Sequence, residues 1–377
     1  MQIDSIIDFL EPVNLHQISE DEGFRPTQLG SKVDIYQEYF PDLTEADVII
    51  AGCGEYRGSG NPKPGFDAAN AVRKHFYSLF HWHKNVHIAD IGNIKTGNKI
   101  ADSLSAVQAV LSEVSAIGKK VLLIGGSHDI TQAQSNAFRD QNRLHEIVCI
   151  DAKIDLDKDT ARYDESFLLQ LFTQNPNFIK HYNHIGFQSY FVQPDMLETI
   201  DKLRFDCFRV GRVKEQIEEV EPIFRNSHMV SVDISAFASA YAPANKLTPN
   251  GFNGEEMCSL FKYAGLSNTV ETLGIYGYDY KTDRDELTAK QLSHCLWYFL
   301  DGIYKSQQEA PFNDPENYNE YHLAFSEVQT VFLQSKKTGR WWMQLPNGKY
   351  IACSYTDYHL ASQDEIPERW LRAIERE

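Results

Sequence analysis

Three short stretches concentrate side chains able to hold a cation or move a proton. LLIGGSHDI sets two glycines ahead of His128 and Asp129, and glycines let a chain turn sharply enough to present an imidazole. IVCIDAKIDLD alternates Asp151, Lys153, Asp155 and Asp157, which share one face if the chain stays extended. Three carboxylates on one edge repel each other unless positive charge separates them, so either a metal ion or the Lys153 ammonium belongs among them. MVSVDISAFASAYAP closes an apolar run on Asp233 and continues in small residues. Taken singly, each stretch has a plainer explanation: a glycine-rich turn with a chance histidine, a solvated loop of charges, a capping aspartate.

All three follow apolar runs, and open parallel sheets bind ligands beyond the carboxyl ends of their strands. The candidate strands are Asp47 to Ala51, Val86 to Ala89, Lys120 to Ile124, Ile147 to Ile150, His184 to Phe187, His228 to Val232 and Thr272 to Tyr276. Between them lie segments of helical period. In Ala101 to Ile117, the residues Leu104, Val107, Val110, Leu111 and Val114 share a face, and Gly118 stops the helix. Asp283 to Leu300 reads as a late helix with acidic residues at its start. Short apolar strands alternating with helices predict an α/β fold whose parallel sheet is covered on both faces. After Tyr304 the polar segment SQQEAPFNDPENYNEY suits a surface connection. Val328 to Leu333, Arg340 to Leu345 and Tyr350 to Ser354 then read as an antiparallel meander, followed by a short helix around Pro367 to Arg376. This predicts a main domain over residues 1–305 and an extension over 306–377, packed on it because Trp341, Trp342 and Trp370 need burial.

The chain has 377 residues, long enough for a large buried core. Its 36 Lys and Arg against 53 Asp and Glu give a formal charge of −17, which opposes nucleic acid and anionic lipid as partners. No apolar run reaches the roughly 18 residues of a spanning helix. The six cysteines form no CxxC pair and read as buried thiols, and the start, MQIDSIIDFLEP, has no basic segment followed by an apolar one. The expected location is the cytoplasm.

In order and at strand ends, the three stretches resemble the ureohydrolases, the family of arginase, agmatinase and formimidoylglutamase. That family carries GG-x-H, D-A-H-x-D and S-x-D-x-D motifs that hold two manganese ions for hydrolysis of a guanidino or amidino carbon. AGCGEYRGSGNPKPGFDAANAVRKHF, DIGNI at Asp90 and HIGFQ at His184 are similar to further family segments, over roughly residues 45 to 300. The GGSHD form is closest to the formimidoylglutamase branch. The resemblance implies a three-layer αβα, arginase-like fold with a mostly parallel sheet of roughly eight strands. It also implies one manganese site on His128, Asp151, Asp155 and Asp233, and a homo-oligomer that takes a small amidine or guanidine ligand.

The second site breaks the pattern: Lys153 stands at its histidine position and Ser235 at its last aspartate. A lysine ammonium about 4 Å from a unit positive charge costs roughly 4 kcal/mol at an effective dielectric of about 20, and a dication about twice that. At most one Mn ion per chain, or none, follows. The glutamate that holds the substrate's guanidinium falls on Gly277, and a catalytic histidine falls near Ser166. By resemblance Asp155 and Lys153 lie nearest the reacting atoms, and Asp157 and Ser166 face the substrate. The expected function is a weak or inactive relative of formimidoylglutamase, with a single-metal hydrolase of a linear amidine as the alternative.

Overall fold

The computed structural model describes residues 4–19, 23–61, 63–312, 314–326 and 328–375. Pro62 of the early glycine-rich stretch, Asn313 of the polar linker and Arg376 at the expected end of the last helix lie outside the described residues. The main sheet has ten strands, β1 (Leu10–Glu11), β2 (Val33–Ile35), β3 (Val48–Cys53), β4 (Ile88–Ile94), β5 (Lys120–Ile124), β6 (His145–Ile150), β7 (Ile179–Phe187), β8 (Asp206–Arg209), β9 (Met229–Asp233) and β10 (Thr272–Tyr276). Their order is β1-β4-β3-β5-β10-β9-β6-β7-β8, with β2 also pairing with β4. Only β1 runs antiparallel. The sheet therefore exceeds the roughly eight strands expected. β1, β2 and β8 are two to four residues long, too short to leave an apolar run.

Alternate residues of each strand enter opposite layers, which is why the strands read as unbroken apolar runs. Val48, Ile50, Leu122 and Ile124 pack under the helices Asp67–Ser78, Gly254–Leu266 and Leu287–Ser306. Ile49, Ala51, Val121 and Leu123 pack under Ile100–Ala116 and Ile130–Asp140. The late helix starts at Leu287, four residues beyond the expected Asp283. Asp283 still anchors it, accepting the amides of Thr288 at 2.9 Å and Ala289 at 3.1 Å. Among the described residues no helix is long and apolar enough to cross a membrane.

A second, antiparallel sheet follows the order β11 (Tyr318–Phe325), β12 (Val328–Ser335), β13 (Trp341–Gln344), β14 (Tyr350–Cys353). β11 corrects the expectation of a polar linker reaching Tyr321: between buried Tyr318 and Phe325 its residues alternate between half-buried and exposed, so a sequence that looks polar overall still has a packing face. Helices Tyr355–Ser362 and Glu368–Glu375 end the described chain. Trp341, Trp342 and Trp370 are buried. The Arg225 guanidinium donates to the carbonyls of Trp341 at 2.7 Å and Cys353 at 2.8 Å and stacks over Trp342. Arg340 donates in return to the Leu266 carbonyl at 2.9 Å.

Candidate metal centre

The four adjacent central strands β5, β10, β9 and β6 end under one spot. Past β5, Gly125 and Gly126 take left-handed φ of +98° and +88°, and a Cβ on Gly125 would lie 2.5 Å from the Cys53 carbonyl oxygen. Only glycine permits that turn, and it delivers His128 just ahead of the helix Ile130–Asp140. Past β6 come Asp151 and Asp155, and β9 ends on Asp233.

His128 Nδ1 lies 2.8 Å from Asp155 Oδ2, 3.2 Å from Asp151 Oδ2 and 4.0 Å from Asp233 Oδ2. His128, Asp151 and Asp155 are buried and offer ligand atoms within 4.8 Å of one another. Despite those neighbours Nδ1 has no well-aligned hydrogen bond among the described residues. On the ring's other side Nε2 lies 3.0 Å from Ser231 Oγ, itself 2.6 Å from Thr131 Oγ1. That hydroxyl chain can accept the Nε2 proton and leave the Nδ1 lone pair directed at the carboxylate oxygens, as a metal ligand requires. The residues thus fit one divalent cation. Ser231 was not among the residues singled out from sequence, although it sits two positions before Asp233 and so on the same face of β9.

Burial disfavours charge on every member of the cluster. It pushes Asp155 well above the usual carboxylate range, helped by the Asp151 charge, and pushes Asp233 up to about 6. Against the same penalty, His128 holds Asp151 down at about 2, and Asp151 and Asp155 hold the imidazole well above its ordinary value. Two of three carboxyls resisting ionisation mark a cluster short of positive charge. Below it, burial pushes His184 down to about 4, and its neutral ring joins the Asp151 carbonyl (3.0 Å) to the Tyr182 hydroxyl (2.9 Å).

Lys153 does not supply the missing charge directly. β6 ends at Ile150, and the chain then loops, so the alternation expected of an extended strand fails. Asp151 and Asp155 turn to His128, whereas the Lys153 ammonium pairs with Glu165 at 2.9 Å. Burial opposes its charge, but Glu165, with Asp155 and Asp151 farther off, holds its pKa above the ordinary value. Lys153 therefore stays protonated. Asp157 accepts the amide of Asp159 at 2.9 Å, and the Ser166 hydroxyl donates to the Arg162 carbonyl at 2.9 Å. Neither joins the cluster among the described residues.

The far sides of the Asp151 and Asp233 carboxylates are closed. Asp151 Oδ1 accepts from the Ser235 hydroxyl and from the Lys153 amide at 3.1 Å, and Asp233 Oδ1 accepts the Ser235 amide at 2.8 Å. Gly277 has φ +75°, and a Cβ there would lie 2.3 Å from Asp233 Oδ2. No side chain fits at that position while Asp233 keeps its place.

The arginase family model matches residues 46–299. No curated protein matches the sequence. Among solved structures, formimidoylglutamase from Bacillus subtilis subsp. subtilis str. 168 is similar with a TM-score of 0.66 at 16% identity, over 76% of this chain and 94% of that one. Trypanosoma cruzi formiminoglutamase with Mn2+ gives 0.62 at 16%, over 70% and 95%. The agmatine ureohydrolase of Thermoplasma volcanium gives 0.60 at 19%, over 76% and 98%. With a ten-stranded sheet of this order beneath a His–Asp cluster, and a family match over most of its length, the chain belongs to the arginase family.

Proposed function

We propose that this chain is a one-cation member of the arginase family that has become weak or inactive as a hydrolase of linear amidines. The observation that carries this is the division of labour on Asp151 and Asp233. In each, Oδ2 faces His128 Nδ1 while Oδ1 is tied to Ser235. One cation has its ligands in His128, Asp151, Asp155 and Asp233, and a second would have to break those bonds beside a fixed lysine charge. Gly277 adds that no glutamate is available there to hold an amidinium.

A divalent cation so held would supply Lewis-acid activation of water for attack on an amidine carbon. In that setting Asp155, the carboxylate nearest His128, and Lys153, an ammonium on the rim, act nearest the reacting atoms, with Asp157 and Ser166 along the approach. Retention of the His128–Ser231–Thr131 relay, which a vestigial site has no need of, favours residual single-cation hydrolysis of a substrate such as formimidoylglutamate as the second reading. We place the protein in the cytoplasm as a homo-oligomer, with 306–377 an extension packed on 1–305. The largely exposed Phe80 and Trp82 support a subunit contact.

The test is manganese content of the purified full chain after incubation with Mn2+, beside His128→Ala and a Lys153→His, Ser235→Asp double variant. One ion in the native chain, none in His128→Ala and two in the double variant are expected. Two ions in the native chain would overturn the reading. Release of glutamate from formimidoylglutamate by the native protein, lost in His128→Ala, would select the single-cation hydrolase.

A further inference from the structure

The helices Gly254–Leu266 and Leu287–Ser306 run parallel and in step. Gln291 Nε2 donates to the Gly254 carbonyl at 3.0 Å, Cys258 Sγ lies 3.9 Å from Cys295 Sγ, and Gly265 meets Gly302, three contacts with the same offset of 37 residues. The glycines bring the two backbones together. A Cβ on Gly265 would lie 2.1 Å from the Phe299 carbonyl oxygen, and one on Gly302 would lie 2.3 Å from that of Lys262. The cysteines stand two turns before those glycines on the same seam. A disulfide needs its Cα atoms about 4.4 to 6.8 Å apart, and a seam this tight, with the sulfurs already in contact, is where two helices meet that requirement.

The two sulfurs are not equivalent. Cys295 is wholly buried, whereas Cys258 keeps 6% exposure, so a small reagent reaches Cys258 first. The Gln291 amide lies 3.7 Å from Cys258 Sγ and 3.6 Å from Cys295 Sγ and can donate to either. The Cys295 thiol holds the Cys258 pKa below its ordinary value; burial opposes this, and the Gln291 amide adds to it. Burial and the neighbouring Cys258 sulfur push Cys295 well above the usual thiol range. The other four cysteines sit on four separate strands, β3, β6, β8 and β14.

We propose that Cys258 and Cys295 form a peroxide-reactive dithiol, a modification site at which hydrogen peroxide converts a noncovalent helix seam into a covalent one. The Cys258 thiolate attacks one peroxide oxygen and breaks the O–O bond; the departing hydroxide takes up a proton as water, and Cys258 is left as a sulfenic acid. The Cys295 sulfur then attacks Cys258, its thiol proton leaves with the displaced oxygen as a second water, and the disulfide closes. Two thiols and one peroxide thus give one disulfide and two waters, with two electrons passing from sulfur to oxygen. Cys258 is the attacked thiol and Cys295 the resolving one.

The experiment treats the reduced full chain with hydrogen peroxide, blocks the remaining thiols, and maps its peptides by mass spectrometry without reductant. A cross-linked peptide pair holding Cys258 and Cys295 is expected, formed at least tenfold faster than the other four cysteines are consumed and reversed by dithiothreitol. In Cys295→Ser, a dimedone adduct is expected on Cys258; in Cys258→Ser, Cys295 should react at least tenfold more slowly than Cys258 does in the native chain. The cross-link is read on the native protein, so the test stands even if a variant fails to fold. Free Cys258 and Cys295 after the other cysteines have reacted, or a cross-link to a different cysteine, would overturn the proposal. Rapid oxidation of Cys295 in Cys258→Ser would overturn the assignment of Cys258 as the attacked thiol.

Discussion

At Gly277 a single missing side chain connects backbone geometry to metal chemistry. Gly277→Ala would place a methyl 2.3 Å from Asp233 Oδ2 on a left-handed backbone. We expect a loss of about 1–3 kcal/mol of stability, the usual cost of such strain, and at least tenfold weaker Mn2+ binding as Asp233 is displaced. Urea unfolding and metal titration of the same variant check both, and unchanged affinity would remove Asp233 from the ligand set. Lys153 illustrates how spacing misleads at this scale. Its period-two relation to Asp151 and Asp155 holds only in a strand, and the strand ends one residue before Asp151.

Between elements, buried charge ties helix to sheet. Arg73, on the helix Asp67–Ser78, donates to Asp90 through Nε at 2.7 Å and Nη2 at 2.9 Å, and to Asn93 at 2.6 Å, both on β4. This joins two of the segments that resemble the family. Arg73→Met strands the Asp90 carboxylate without its cation, and breaking a buried pair this way costs about 3–5 kcal/mol. A drop of that size in urea-unfolding stability is expected, and a change below 1 kcal/mol would refute it. At the start of β6, His145 is buried against Phe138 with Nε2 2.8 Å from Ser135 Oγ, and burial pushes its pKa down to about 4 from 6.5. The unfolded chain therefore takes up this proton first. The stabilisation is complete above pH 6.5 and is lost as the pH falls toward 4, by about 3 kcal/mol over that window. The stability gap between the native chain and His145→Gln should shrink accordingly between pH 7.5 and pH 4, measured by chemical denaturation, and a constant gap would exclude the effect.

Across the whole molecule the extension and main sheet share buried polar contacts, with Arg225 reaching into one sheet and Arg340 reaching back. Truncation after Tyr304 leaves Arg225 without its two carbonyl acceptors and the Leu266 carbonyl without the Arg340 donor, so the shortened chain should be less stable and aggregate. Calorimetry of the full chain should give one unfolding transition, and two well-separated ones would show the extension to be energetically independent.

Much of this architecture could be read from the chain alone. Unbroken apolar runs such as VLLI at Val121 can satisfy their burial only between two helical layers, so β5 and β10 fall where expected. The glycines before His128 likewise determine a turn, and with it one ligand's place, through local sterics. What tertiary structure alone decided is where polar side chains spend their hydrogen bonds. That Lys153 turns to Glu165, that Ser235 closes Asp151 and that Ser231 backs His128 depend on residues 12, 84 and 103 positions away. A hydrogen bond rewards proximity within a few tenths of an ångström, and periodicity in a sequence carries no information at that resolution across separate strands.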